Sequence, residues 1–217
     1  MPPKPKFTRD EIVSAALALV RERGESALTA REVGKALGVS SSPIFTMFRD
    51  MDELKAAVRG EAKACFDRYM AVAEDFYPAY KKRGMQWVKF AQEEPMLFRL
   101  LFEQHGRDGV GLDCALGELP FGKENDLAII TRDYHASAEQ AGHLFRQMWI
   151  YTYGLCVMSA AGLCAFSDGE IASLLGEMFA GMIHVIRSGG ESVKLQPVPE
   201  QSAASRELRS QSPDLRG

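Results

Sequence analysis

Apolar residues recur at helical spacing from the first part of the chain onward. Ile12, Ala15, Ala16, Leu19 and Val20 fall on one face of a helix. Thr8 and Glu11 have the spacing of a capping box at its start, and Gly24 ends it. Thr29 and Glu32 repeat that spacing ahead of a short helix with Val33 and Leu37 inward and Gly38 as its stop. Val39 follows as a turn residue and Ser40 as a cap. The pattern then predicts a third short helix over residues 41–48, anchored by Ile44 and Phe48 at i and i+4. Pro43 fits there because the first helical turn has N–H groups without intrahelical partners. Asp50 and Glu53 mark a further cap and a longer helix over residues 51–76.

The remainder keeps the helical period. Pro78 opens a helix to about residue 94, and Pro95 restarts one through Leu97, Phe98, Leu101 and Phe102. Residues 106–122 are Gly-rich and predict loop or broken helix. Helices resume over 125–135 and 137–166. Ser167 and Glu170 cap a last helix that ends near Ser188, before Gly189 and Gly190. No segment alternates as a strand does, and no repeat is visible. The expected fold class is all-α. A basic arm over residues 1–7 precedes a three-helix helix-turn-helix domain over 8–56. A larger helical domain spans 57–190, and a polar, Pro/Ser-rich tail over 191–217 is predicted to be disordered.

Composition narrows the function classes. The 217 residues are 46% apolar and carry a net charge of −3, so the whole chain is no generic polyanion binder. Up to Arg49 there are eight basic side chains (Lys4, Lys6, Arg9, Arg21, Arg23, Arg31, Lys35, Arg49) against five acidic ones (Asp10, Glu11, Glu22, Glu25, Glu32), so charge is locally positive. Cys65, Cys114, Cys156 and Cys164 form no C-x-x-C pair, which points to reduced thiols in a cytoplasmic protein. The histidines have no i,i+4 partners among themselves, so no metal site and no cofactor are expected. No apolar run reaches the length of a membrane span; residues 144–166 come closest but are broken by Arg146, Gln147 and Ser159. No Ser-His-Asp or Cys-His order and no phosphate-cradling glycine loop is present, so no enzyme is expected.

Two short helices joined by a tight Gly-Val-Ser turn, behind an apolar first helix, make a helix-turn-helix arrangement. A helix entering a major groove about 12 Å wide needs small or polar groups outward and a firm anchor behind. Ser41, Ser42, Pro43 and Thr46 supply the first, and Ile44 and Phe48 the second. Thr29, at the start of the preceding helix, suits a phosphate contact.

The run from Thr8 to Leu54 resembles the DNA-binding domain of the tetracycline-repressor (TetR) family, most closely over L-T-A-R-E-V-G-K-A-L-G-V-S-S-S-P-I-F-T-M-F-R-D-M-D-E-L. The resemblance implies DNA contacts by Thr29, Arg31, Ser40, Ser41, Ser42, Pro43, Phe45 and Thr46. Three positions depart from the family's usual residues. Phe45 replaces a Tyr, Met47 a His or Tyr, and Met51 a Lys, each removing a polar contact. Arg49, Lys55 and the Lys4/Lys6 arm are the candidate replacements.

The segment G-M-Q-W-V-K-F-A-Q-E-E-P-M-L-F-R-L-L-F, from Gly84 to Phe102, resembles one C-terminal subgroup of TetR regulators. Trp87, Phe90, Phe98, Phe102, Trp149 and Tyr153 are the candidate wall of an effector pocket, with ordinary core as the alternative. Met85, Met96 and Met148 would make such a pocket adaptable. By the same resemblance the last two long helices pair with their copies in a homodimer, as two half-sites on operator DNA require. The function implied is a repressor that leaves operator DNA when a small, largely apolar effector binds, with no membrane partner. The alternative is a helical small-molecule-binding protein or enzyme without a DNA role.

Overall fold

The computed structural model describes residues 7–103 and 123–188. Among these there are nine α-helices, two short 3-10 turns and no strand. Contacts divide the chain into two units, Met1–His184 and Val185–Gly217. The described part of the second is only the end of the last helix.

Helix α1 (Arg9–Arg23) starts as its sequence dictates. Thr8 Oγ1 accepts from the Glu11 N–H at 3.2 Å, and the Thr8 N–H donates back to Glu11 at 2.8 Å. Gly24, at φ 79°, ends it by donating to the Val20 carbonyl. Its inward residues Ile12, Ala16 and Val20 are fully buried. Helix α2 (Ala30–Ala36) has only half of the expected box. Thr29 accepts from the Glu32 N–H, but the Glu32 carboxylate turns to Arg23 at 2.5 Å instead. Gly38, at φ 68°, supplies the left-handed turn.

Helix α3 (Ile44–Met47) is shorter than the sequence pattern predicts. The Ile44 N–H bonds the Ser41 carbonyl, and the Thr46 N–H the Pro43 carbonyl. These three-residue closures keep 41–43 as a turn, and Phe48 is already extended. Asp50 then caps α4 (Met51–Ala71), which yields to a 3-10 turn at Val72–Asp75 rather than running to residue 76.

Helices α5 (Ala79–Glu93) and α6 (Pro95–Phe102) meet at Glu94, with Pro95 in the first turn of α6. They are followed by α7 (Lys123–Tyr134), α8 (Ala138–Ala160) and α9 (Asp168–Arg187). Helix α8 stops at Gly162, φ 70°, and not at residue 166. The predicted loop over 106–122, the basic arm before residue 7 and the tail beyond Ser188 lie outside the described residues, Phe7 aside.

Helix α1 packs on α2, α4 and α6, while α8 packs on α5, α6 and α7. One stretch of core lies under the first helices: Ile12, Val33, Ile44, Phe48, Leu54 and Val58 are all at most 1% exposed. A second holds Val88, Phe90, Leu97, Phe98, Leu101 and Leu144. Burying each such side chain contributes about 1.5–3 kcal/mol before entropy is counted. Helix α9 differs. Only its Ile171 and Leu175 are buried, while Met178, Met182 and Ile183 stay partly open. Among the described residues it is also the one helix long and apolar enough, by length and composition, to cross a membrane, whereas the sequence drew attention to 144–166.

Candidate nucleic-acid interface and ligand cavity

The turn and short helix from Ser40 to Phe48 present two unlike sides. Ile44 and Phe48 are buried against the first core, whereas Ser40, Ser42, Phe45 and Thr46 are exposed and Ser41 and Pro43 half-buried. Phe45 is 48% exposed, unusual for a phenyl ring with a core available beside it. Thr29 and Arg31 open the preceding helix and are exposed, as are Arg49 and Lys55 beyond α3. The Arg49 side chain pairs with Asp50 at 2.8 Å yet remains 81% exposed. Thr46 Oγ1 donates to the Ser42 carbonyl at 3.4 Å, holding the outer face in shape.

Arg9, which in the sequence is only one of the eight N-terminal basic side chains, clamps this segment from behind. Its Nη1 donates to the Met47 carbonyl at 3.0 Å and to Glu53 at 2.9 Å, and its guanidinium lies 4.1 Å from the centre of the Phe48 ring. Glu53 also accepts from the Arg49 N–H at 2.7 Å. That bond and Arg9 hold the Glu53 carboxyl below the usual glutamate range. An arginine in a first helical turn gives no sequence signal for a partner 44 residues away.

Charged side chains tie these helices to the body. Arg21 Nε on α1 donates to Glu94 at 2.9 Å, and its Nη2 reaches Cys65 Sγ at 3.5 Å. Arg59 on α4 donates to the carbonyls of Leu100 and Leu101 at the end of α6.

The residue after Leu101, Phe102, stands in the wall of a cavity of about 280 Å³. Helices α4 to α9 all contribute to it. Its wall is mostly aromatic and apolar, including Phe66, Met70, Phe145, Met148 and Phe179. The polar groups are few. Arg83 and Asp126 form an ion pair there, their side chains 11% and 17% exposed. Burial pushes the Asp126 carboxyl above the usual aspartate range, against the pull of Arg83. Burial likewise raises the Tyr80 phenol, and Tyr134 is pushed up to about 12. Trp87 and Trp149 line the cavity, and their indole nitrogens are buried without a hydrogen-bond partner among the described residues.

Of the six aromatics singled out in the sequence, Trp87, Phe102 and Trp149 stand in the wall. Phe90 and Phe98 are fully buried, packed on Phe66 and Phe102 respectively. Tyr153 stacks on Trp149 at 5.0 Å. Met148 lines the cavity; Met85 and Met96 are not in its wall. The wall residues Phe66, Tyr80, Phe145 and Phe179 carry no sequence mark that separates them from core. Cys65, Cys156 and Cys164 are free, and burial raises the Cys156 thiol. Among the described residues no group of His, Cys, Asp or Glu has the arrangement of a metal site.

Residues 12–58 match the family model described as bacterial regulatory proteins, tetR family. No curated protein matches the chain. Among solved structures, a TetR-like transcriptional regulator from Rhodococcus sp. RHA1 is similar over 84% of this chain and 99% of its own, with 14% identity and a TM-score of 0.62. FadR of Thermus thermophilus, a TetR-family transcriptional repressor solved in complex with lauroyl-CoA, is similar over 88% of this chain and 99% of its own, with 17% identity and a TM-score of 0.53. The matched segment covers α2, α3 and their anchoring helices, and the fold beyond it is shared with these two structures, so the chain carries a DNA-binding domain like that of tetR-family proteins and is a DNA-binding transcriptional regulator.

Proposed function

We propose that the protein is a homodimeric repressor that leaves operator DNA when a small, largely apolar effector enters the cavity. The observation that carries this reading is the contact of one helix with both ends of the molecule's task. Helix α6 packs on α1 of the DNA-binding helices and ends in Phe102 of the cavity wall. A ligand that displaces Phe102 biases the positions of α1 and α4, and through them α3. It can do so only to the extent that it binds the two arrangements unequally.

In this reading residues 8–56 are the DNA-binding domain and 57–190 the ligand-binding and dimerisation domain. Ser40, Ser41, Ser42, Pro43, Phe45 and Thr46 meet the groove, while Thr29, Arg31, Arg49 and Lys55 meet phosphates. Trp87, Phe102 and Trp149 touch the effector, and Phe90, Phe98 and Tyr153 back them. The under-covered apolar side of α9, with α8, supports pairing with a second copy, which gives two α3 helices for two half-sites. The protein works in the cytoplasm and catalyses no reaction.

A gel-shift titration against the DNA upstream of its own gene tests the reading. The expected result is a specific complex, stable against competitor DNA at low salt, that an effector dissolves. Absence of any specific complex under those conditions overturns it.

A further inference from the structure

The charges around the cavity do not cancel. Asp126 answers Arg83, but Lys81, one α-helical turn from Gly84 on α5, also lines the cavity and has no carboxylate partner among the described residues. Its Nζ lies 3.4 Å from where a Cβ on Gly176 would stand, so the ammonium rests against a bare stretch of α9. Among the described residues one positive charge, on a lysine that is itself exposed to solvent, is therefore left over beside a wall that is otherwise mostly aromatic and apolar.

The neutral polar groups lean the same way. An indole nitrogen can only donate, and those of Trp87 and Trp149 are buried with no acceptor among the described residues. Neither nitrogen has surface open to the cavity, so a ligand acceptor meets one only if its ring turns. An aromatic wall also attracts cations. Here, however, the one carboxylate in the wall among the described residues is engaged by Arg83, and Lys81 repels a second positive charge. A volume of about 280 Å³ lies at the small end for ligand pockets and suits roughly ten to twenty non-hydrogen atoms.

Resting on the reading of this cavity as the effector site, we propose that its ligand is a compact, mostly apolar carboxylate. The acid group pairs with Lys81, and the apolar body lies among Phe66, Phe145 and Phe179.

The chain has only two tryptophans, and both are in the wall, so intrinsic fluorescence of the full-length protein reports on this site. The probes are 4-phenylbutyrate, 4-phenyl-1-butanol and 4-phenylbutylamine, which share a body and differ in the charge of the head. The expected result is that the carboxylate binds at least about tenfold more tightly than the other two. Lys81→Gln should erase that margin while leaving alcohol binding as it was, which also shows that the variant is folded. Lys81→Arg should keep it. An alcohol or amine that binds as well as the carboxylate overturns the proposal. So does a margin that survives Lys81→Gln, or no saturable response to the carboxylate up to about 10 mM. Because the titration contains no DNA, the two readings fail separately. Carboxylate binding that never releases DNA defeats the repressor reading alone, whereas release by the amine defeats this one alone.

Discussion

The Arg59 guanidinium on α4 donates to the Leu101 carbonyl on α6 at 3.0 Å, and its other terminal nitrogen donates to Leu100 at 2.5 Å. The last carbonyls of a helix have no partner within it, so a cation there both completes hydrogen bonds and answers the helix dipole. This pair joins the helix that follows α3 to the helix that ends at the cavity wall. Arg59→Met keeps much of the side chain's apolar packing and removes both bonds. It should lower stability by about 1.5–3 kcal/mol, the usual range for losing charge-assisted bonds that are partly buried. Urea denaturation measures this directly, and an unchanged midpoint would show that α4 and α6 are held by packing alone.

Arg9 should matter more to DNA binding than to folding. Its bonds to Met47 and Glu53 and its place over Phe48 fix where α3 ends. The side chain is 46% exposed, so the ion pair itself contributes little to stability. Arg9→Ala is expected to weaken operator binding about tenfold, or 1.4 kcal/mol, with a nearly unchanged melting temperature. Equal affinities for the two proteins in a fluorescence-anisotropy titration would remove Arg9 from the interface's support.

The DNA-binding half was legible because its signals are short-range. Thr8, Thr29 and Asp50 act on N–H groups three residues away, Gly38 sets one turn, and Ile44 and Phe48 share a face four residues apart. Where a competing partner comes from farther along the chain, the local pattern misleads. Arg23 draws Glu32 away from its capping box, and three-residue closures shorten α3. The cavity was less legible for a different reason. Phe98 in the core and Phe102 in the wall sit four residues apart on the same helix with the same chemistry. What separates them is how α4, α5 and α8 stand around α6, with Phe66 and Trp87 beside Phe102 and Tyr153 beside Phe98, and that is a property of the assembled helices.

Phe45 provides a gain-of-function test of the interface. It stands 48% exposed where TetR-like sequences usually carry a tyrosine, and a phenyl ring cannot donate to a phosphate. Phe45→Tyr adds one donor on a side chain already in solvent. A net hydrogen bond of about 0.5–1.5 kcal/mol predicts roughly two- to twelvefold tighter binding. Stability should not change. No gain in a gel shift at matched salt would place residue 45 away from the DNA backbone.

Acid should loosen the DNA-binding helices in particular. The carboxyls of Glu11, Glu32, Asp50 and Glu53 all lie below their usual ranges, held by the Thr8 backbone N–H, Arg23, Arg49 and the Arg49 backbone N–H respectively. For a depressed carboxyl the unfolded chain takes up protons first as pH falls. The stabilisation is therefore complete above about pH 4.5 and is lost progressively below it. Glu53→Gln should flatten the part of this slope that Glu53 supplies. Hydrogen exchange or melting followed from about pH 7 to pH 3 would show it. A slope identical in the two proteins would mean that Glu53 titrates normally.

The buried pair in the cavity has the opposite sign. Burial raises the Asp126 carboxyl, so its contribution to stability falls as pH rises from the usual aspartate range through the raised value. The Asp126 carboxyl stands where it answers the Arg83 guanidinium. Removing one partner leaves a charge in an apolar wall, at about 3–5 kcal/mol for full burial and somewhat less here, where the side chains keep 11% and 17% exposure. Removing both abolishes that penalty. Asp126→Asn alone should therefore destabilise the protein by about 2–4 kcal/mol, and Arg83→Met with Asp126→Leu should recover most of the loss. A double-mutant cycle by urea denataturation reads the coupling. If the double variant is as unstable as the sum of the singles, the two side chains act independently and the pair does not organise the polar end of the cavity.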